Sequence, residues 1–102
     1  MIHVIATVGL APGTREEFLT EIHRIVPLVC AEAGCLEYGP AVDLATDIAA
    51  QVQPRGELVV AVEKWSSVEA LKAHLAAPHM TDYRSRVKDY VVSAKLHVLQ
   101  PA

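Results

Sequence analysis

The chain reads as an α+β domain of the ferredoxin-like split βαβ type. Its elements fall in the order β-α-β-β-α-β with the second helix broken, turn residues separate them, and its clearest strand is apolar on both faces. Residues 1–102 form a single domain, with no internal repeat, low-complexity tract or linker. A chain this short buries only about two thirds of the surface it exposes when unfolded. With 52% of its residues hydrophobic, the surplus is expected to lie in a subunit interface.

Residues 2–9 are rich in strand formers and end at Pro12-Gly13, a turn signal, so they predict the first strand. Thr14 and Glu17 have the spacing of a capping box, in which hydroxyl and carboxylate satisfy each other's unpaired amides. Phe18, Leu19, Ile22, Ile25, Val26 and Val29 then keep helical spacing up to a stop at Gly34. Pro27 lies inside this helix, lacks an amide and crowds the carbonyl of His23, which predicts a kink.

Cys35 to Leu44 is extended but interrupted by Gly39-Pro40, and proline cannot donate to a central ladder, so an edge strand is expected. Residues 45–56 lack periodicity and read as a loop, with room for a short strand at Ile48–Val52. Leu58–Trp65 is the third strand. Leu58, Val60 and Val62 point one way along it; Val59, Ala61, Glu63 and Trp65 point the other.

Ser66 and Glu69 repeat the capping spacing before a helix carrying Val68, Leu71 and Leu75. Ala77-Pro78 breaks it, and Pro78 suits the first turn of a further helix to about Val92, with Met80, Tyr83, Val87 and Val91 as its apolar stripe. Ala94–Leu99 is the last strand. Helices can cover one face of such a sheet; the other is also apolar, and a second copy packed sheet to sheet would cover it, so a homodimer is expected.

A net charge of −3 gives no field to attract nucleic acid or an anionic membrane. The N-terminus has no signal-peptide pattern and no apolar run reaches the length of a span, so the chain is expected in the cytoplasm. Cys30 and Cys35 match neither redox nor zinc spacing, and read as reduced core thiols. There is no nucleotide or flavin fingerprint, P-loop, nucleophile elbow or haem attachment site, and no local metal-ligand spacing among the five histidines and twelve acidic residues. Neither cofactor nor metal is expected. Electrons for any redox chemistry would come from the substrate.

The candidate site lies around the third strand. Glu63 and Trp65 share one face beside the small Ala61; a tryptophan face suits an aromatic guest, and a buried carboxylate needs a partner. His74 sits by the buried side of the second helix, and His79 begins a polar stripe with Tyr83 and Arg86. Together they outline a small-molecule pocket, to which His3 and Thr7 of the first strand could add. His23 and His97 read as surface residues.

The run Glu63-x-Trp65-x-Ser67-x-Glu69-Ala70-Leu71-x-Ala73-His74-Leu75, followed by Pro78-His79-Met80 and Tyr83, resembles the antibiotic biosynthesis monooxygenase family, most of all its quinol monooxygenase branch. Pro12-Gly13, Glu32-x-Gly34-Cys35 and Leu99-Gln100-Pro101 extend the resemblance over essentially the whole chain. It implies a dimeric α+β barrel and oxygenation of a small quinol or phenol by dioxygen without metal or flavin. Haem-degrading relatives on this fold have Asn where Thr7 stands and a ligating His where Tyr83 and Arg84 stand; that pattern is absent.

On this reading His79 or His74 is the base that removes a phenolic proton, Trp65 stacks the ring, and Tyr83 and Tyr38 orient oxygens. Two other readings use the same pocket: a non-catalytic domain that binds a quinone or another aromatic ligand, and an isomerase or cyclase. Aerobic and anaerobic turnover would separate them.

Overall fold

A computed structural model describes residues 1–102. The elements are β1 (Ile2–Leu10), α1 (Arg15–Cys30), β2 (Cys35–Ala41), β3 (Leu58–Trp65), α2 (Val68–Ala76), α3 (Pro78–Val87) and β4 (Val91–Leu99). The four strands form one antiparallel sheet in the order β2-β3-β1-β4, which makes the proline-bearing β2 an edge strand as expected. This is the ferredoxin-like α+β fold. No helix is long and apolar enough to cross a membrane.

The two-residue alternation of β3 sorts the sheet. Val59, Ala61, Glu63 and Trp65 are buried beneath the helices, while Val62 faces outward. Cross-strand partners share a face, so Val4, Ala6 and Val8 of β1 join the buried side through Glu63, Ala61 and Val59. The core closes on Phe18, Ile22, Ile25 and Val29 of α1, all 0–1% exposed, against Val4, Val59 and Trp65. Each such side chain contributes about 1.5–3 kcal/mol by leaving water.

Several boundaries differ from the sequence reading. Thr14 does not cap α1: its hydroxyl donates to the Ala11 carbonyl at 2.7 Å and tightens the preceding turn. At α2 the cap is Ser67 rather than Ser66, its oxygen accepting from the Ala70 amide at 3.1 Å. The Ser66 amide is already used, donating to Gly34 O at 2.8 Å. The helix α1 runs through Pro27 to Cys30. No strand forms at Ile48–Val52, where a turn from Ile48 to Gln51 takes the backbone instead. The second strand stops at Ala41, and α3 at Val87, so Val91 opens β4 rather than extending the helix. Cys30 is exposed and Cys35 half-buried, both unpaired; neither is a core residue, because the end of α1 and the start of β2 lie at the surface.

Gly34 fixes the α1–β2 turn. Its φ of +81° lies in the left-handed region, and a methyl group there would meet Ala70 Cβ and Ser66 Oγ, each at 2.6 Å. Only glycine lets this turn sit against the start of α2. The contact has a functional result, since Glu32 projects from the same turn toward α2 and α3.

Candidate functional site

Between the sheet and the helices lies a hollow of about 420 Å³. Ala6, Val8 and Ala61 form its flat floor, and Ile22, Met80 and Val87 its apolar roof. Small residues on the floor leave the space, and a Val or Leu at position 61 would narrow it. Four polar side chains face in: Tyr38, Glu63, His74 and Tyr83. Arg84 of α3 and Lys88 just beyond it stand among the lining residues as exposed cations. The hollow opens toward β4, whose residues Val92–Leu99 are exposed because no helix covers that edge. A few polar groups converging in an apolar concavity is the usual form of a small-molecule site.

Glu63 is 4% exposed and is satisfied from its own strand: Trp65 Nε1 donates to its Oε1 at 2.9 Å. Burial pushes this carboxyl up to about 7; the indole N–H bond opposes the rise and the charge on Glu32 adds to it. Near neutral pH Glu63 can therefore exchange a proton. Burial also raises Tyr38 and Tyr83 well above the usual phenol range, with the Glu63 charge next in effect, so both phenols keep their protons.

His74 is 2% exposed, tilted against the Trp65 indole at 4.6 Å between ring centres and near Tyr38 at 5.5 Å. Its Nδ1 lies 2.9 Å from Glu32 Oε2. A carboxylate oxygen accepts, so Nδ1 carries a hydrogen, and in the neutral ring the lone pair is on Nε2. Nε2 has no protein partner, and no fully enclosed side-chain nitrogen or oxygen in the protein lacks one, so Nε2 is open to the hollow. His79 Nε2 binds the same Glu32 oxygen at 2.8 Å.

The expected residues thus separate into three groups. His74, Glu63, Tyr38 and Tyr83 meet in the hollow. Trp65 does not line it: the indole is 0% exposed and lies behind Glu63 and His74, holding both, so it cannot stack a guest directly. His79 is turned away to Glu32 and does not line the hollow either. His3 and Thr7 pair with Lys64 and Val60, which puts them on the opposite face of the sheet from Glu63 and Trp65. In a period-two strand, Ala6 and Val8 are the β1 residues that reach the site. Glu32 was missed, because a turn acid 42 residues from its nearer partner leaves no local spacing to read.

Two cysteines border this region. Cys35 is pushed up to about 11, first by burial and then by Cys30 and Glu32, so it is a thiol at neutral pH. No group of three or more His, Cys, Asp or Glu residues is arranged to hold a metal ion.

The raised Glu63 has a signed effect on stability. The folded chain binds that proton more tightly than the unfolded one, so the contribution of Glu63 to folding is greatest below about pH 4.5 and falls by roughly 3 kcal/mol as the pH rises to about 7. Glu63→Gln keeps an acceptor for Trp65 and removes the charge. Urea unfolding at about pH 8 should show this variant more stable than the parent by roughly 2–3 kcal/mol, with the gap closing near pH 4. Equal stabilities at both pH values would show Glu63 to be ordinarily solvated.

The family model for antibiotic biosynthesis monooxygenase matches residues 1–86, every element except β4. The chain is 38% identical over 103 aligned positions to the probable quinol monooxygenase YgiN of Escherichia coli strain K12, covering 99% of this chain and 98% of that protein. Among solved structures it superposes on PA3566 from Pseudomonas aeruginosa with a TM-score of 0.81 at 26% identity, covering 99% and 93% of the two chains. Rv0793 from Mycobacterium tuberculosis gives a TM-score of 0.79 at 25% identity, with 99% and 94% covered. The chain belongs to the antibiotic biosynthesis monooxygenase family, and its enzyme class is oxidoreductase of the monooxygenase type.

Proposed function

We propose that the protein oxidises a small quinol or phenol with dioxygen in the hollow between sheet and helices, using no cofactor. The observation that carries this reading is His74: a buried imidazole with one nitrogen tied to a carboxylate and the other open to an apolar hollow. The 38% identity to a probable quinol monooxygenase supports the choice of substrate.

The chemistry follows from the electrons. Triplet dioxygen reacts slowly with closed-shell molecules, but a quinolate anion can hand it one electron directly. The protein's part is to make the anion. The substrate ring lies on the Ala6–Ala61 floor with one hydroxyl at His74 Nε2, which takes its proton; a base so placed is typically worth 10²–10⁴ in rate, on the order of 3–5 kcal/mol of barrier. One electron passes to dioxygen, and the semiquinone and superoxide so formed combine as a C–O bond at a ring carbon bearing hydrogen. The proton on that carbon then passes to the outer oxygen of the peroxide anion as the O–O bond breaks. One oxygen stays as a carbonyl and the other leaves as hydroxide, which takes the proton from His74 to become water. Quinol plus dioxygen gives hydroxyquinone plus water, all four electrons coming from the ring.

Tyr38 and Tyr83, held protonated, donate hydrogen bonds to oxygens that gain negative charge. The apolar walls keep water from the radical pair. Trp65 acts through Glu63 and His74 as their support.

The open face of the sheet suggests the quaternary state. Val62 there is 36% exposed and Leu99 48%, alongside Ile5 and Val60. We infer that a second copy covers this face, in cytoplasmic protein as a homodimer. Sedimentation should give about twice the chain mass of 11.0 kDa, and Val62→Lys should shift the species toward monomer. A wild-type monomer at high micromolar concentration would contradict the inference.

Catalysis is tested by oxygen uptake on a panel of small quinols. His74→Ala should lower kcat/KM by about 100-fold or more, and Trp65→Phe by about tenfold, through loss of the bond that holds Glu63. An unchanged rate in His74→Ala would remove the base assignment. Tight binding without uptake would mark a ligand carrier, and product formed without oxygen an isomerase or cyclase.

A further inference from the structure

His74 Nδ1 and His79 Nε2 meet at a single oxygen of Glu32, at 2.9 and 2.8 Å. The three residues come from α2, α3 and the α1–β2 turn, so nothing local in the chain requires them to meet. Their side chains grade outward: His74 is 2% exposed, Glu32 14% and His79 26%. The cluster therefore connects the wall of the hollow to solvent.

We propose that Glu32 and His79 are positioning residues for the base: Glu32 fixes which nitrogen of His74 meets the substrate, and the two imidazoles hold one proton between them, with His79 as the side that exchanges with water. The proposal rests on the oxygenase reading for its use, but not for its structure.

The first half follows from donor and acceptor roles. An ionised carboxylate only accepts, so both ring nitrogens at Glu32 carry hydrogen, leaving Nε2 of His74 and Nδ1 of His79 as the free positions. Without the carboxylate, nothing would prevent His74 from turning an N–H toward the hollow, where it could not act as base. The second half follows from charge. One carboxylate neutralises one imidazolium; a second proton would put two positive rings on one negative oxygen in a partly buried site. When His74 takes the substrate's proton, His79 releases to water any proton it holds. When His74 returns its proton to the departing hydroxide, His79 can take one up again. Only protons move, and the cluster's charge is preserved without water entering the hollow.

Other groups bear on His74 as well. Trp65 and Tyr38 pack against its ring, Glu63 is tied to the same indole, and Tyr83 and Arg84 of α3, with Lys88 just beyond it, line the same hollow. Cys35 of β2 and Tyr38 lie within the electrostatic reach of Glu32. None of these touches His74 Nδ1; that contact belongs to Glu32.

The test is histidine ¹⁵N NMR on the ligand-free protein, whose shifts distinguish the two tautomers and follow each ring's titration. In the wild type His74 should be the Nδ1–H form, and the two rings should not charge independently. Glu32→Ala, which leaves no acceptor, should abolish the tautomer preference; on a quinol it should lower kcat about tenfold with KM within about twofold, Glu32→Asp recovering part of the loss. Should Glu32→Ala not fold, His79→Gln decides: its amide can still donate to Glu32, so His74 should keep its tautomer but charge without waiting on a second ring. Retention of the Nδ1–H form in Glu32→Ala, independent titration of the rings in the wild type, or an unmoved His74 titration in His79→Gln would each overturn the proposal. Failure on every quinol would remove the oxygenase reading alone, since the NMR needs no substrate.

Discussion

The hydrogen bond from the Trp65 indole to the Glu63 carboxylate is the interaction on which this fold and site together depend. Strand alternation sends both side chains under the helices, where an unpartnered carboxylate would be costly. Bonding to its i+2 neighbour on the same face meets most of that need without help from another element. The same indole, enclosed on all sides, then supplies the surface against which His74 is packed. One side chain thus anchors the core and holds two of the polar groups that face the hollow.

Around that anchor the protein keeps space open by using small residues where large ones are usual. Ala6 and Ala61 are partners across β1 and β3, and a hollow lies above them where a well-filled domain would place branched aliphatics. The more distant support, Glu32, depends on a turn that only Gly34 permits. Site and fold therefore share a constraint at the junction of α1 and β2.

Much of this was legible in the residues. Period-two alternation in Leu58–Trp65 gave the buried face, and Pro78 marked the helix break, because these signals are local and sterically strict. Glu63, His74 and Tyr83 were found because each lies on an element whose inward face could be read, while Tyr38 came only with the family resemblance. Trp65 and His79 were placed in the right neighbourhood with the wrong orientation, since burial against a neighbour and exposure to a cavity look alike in a sequence. His3 and Thr7 fell on the far face because alternation alone does not say which of two apolar faces the helices cover. Thr14 and Ser66 had capping spacing, yet one hydroxyl found a nearer carbonyl and the other lost the position to Ser67. Glu32 needed tertiary structure, as its partners arrive from two other helices.

The central claim is that an aromatic substrate lies in the hollow with an oxygen at His74. A crystal structure of the protein saturated with a small quinone, the stable product analogue, tests it directly. The expected result is a ring over Ala6 and Ala61 with one oxygen about 3 Å from His74 Nε2. A quinone bound on the outer face of the sheet, or a hollow left without a guest at saturating concentration, would contradict it.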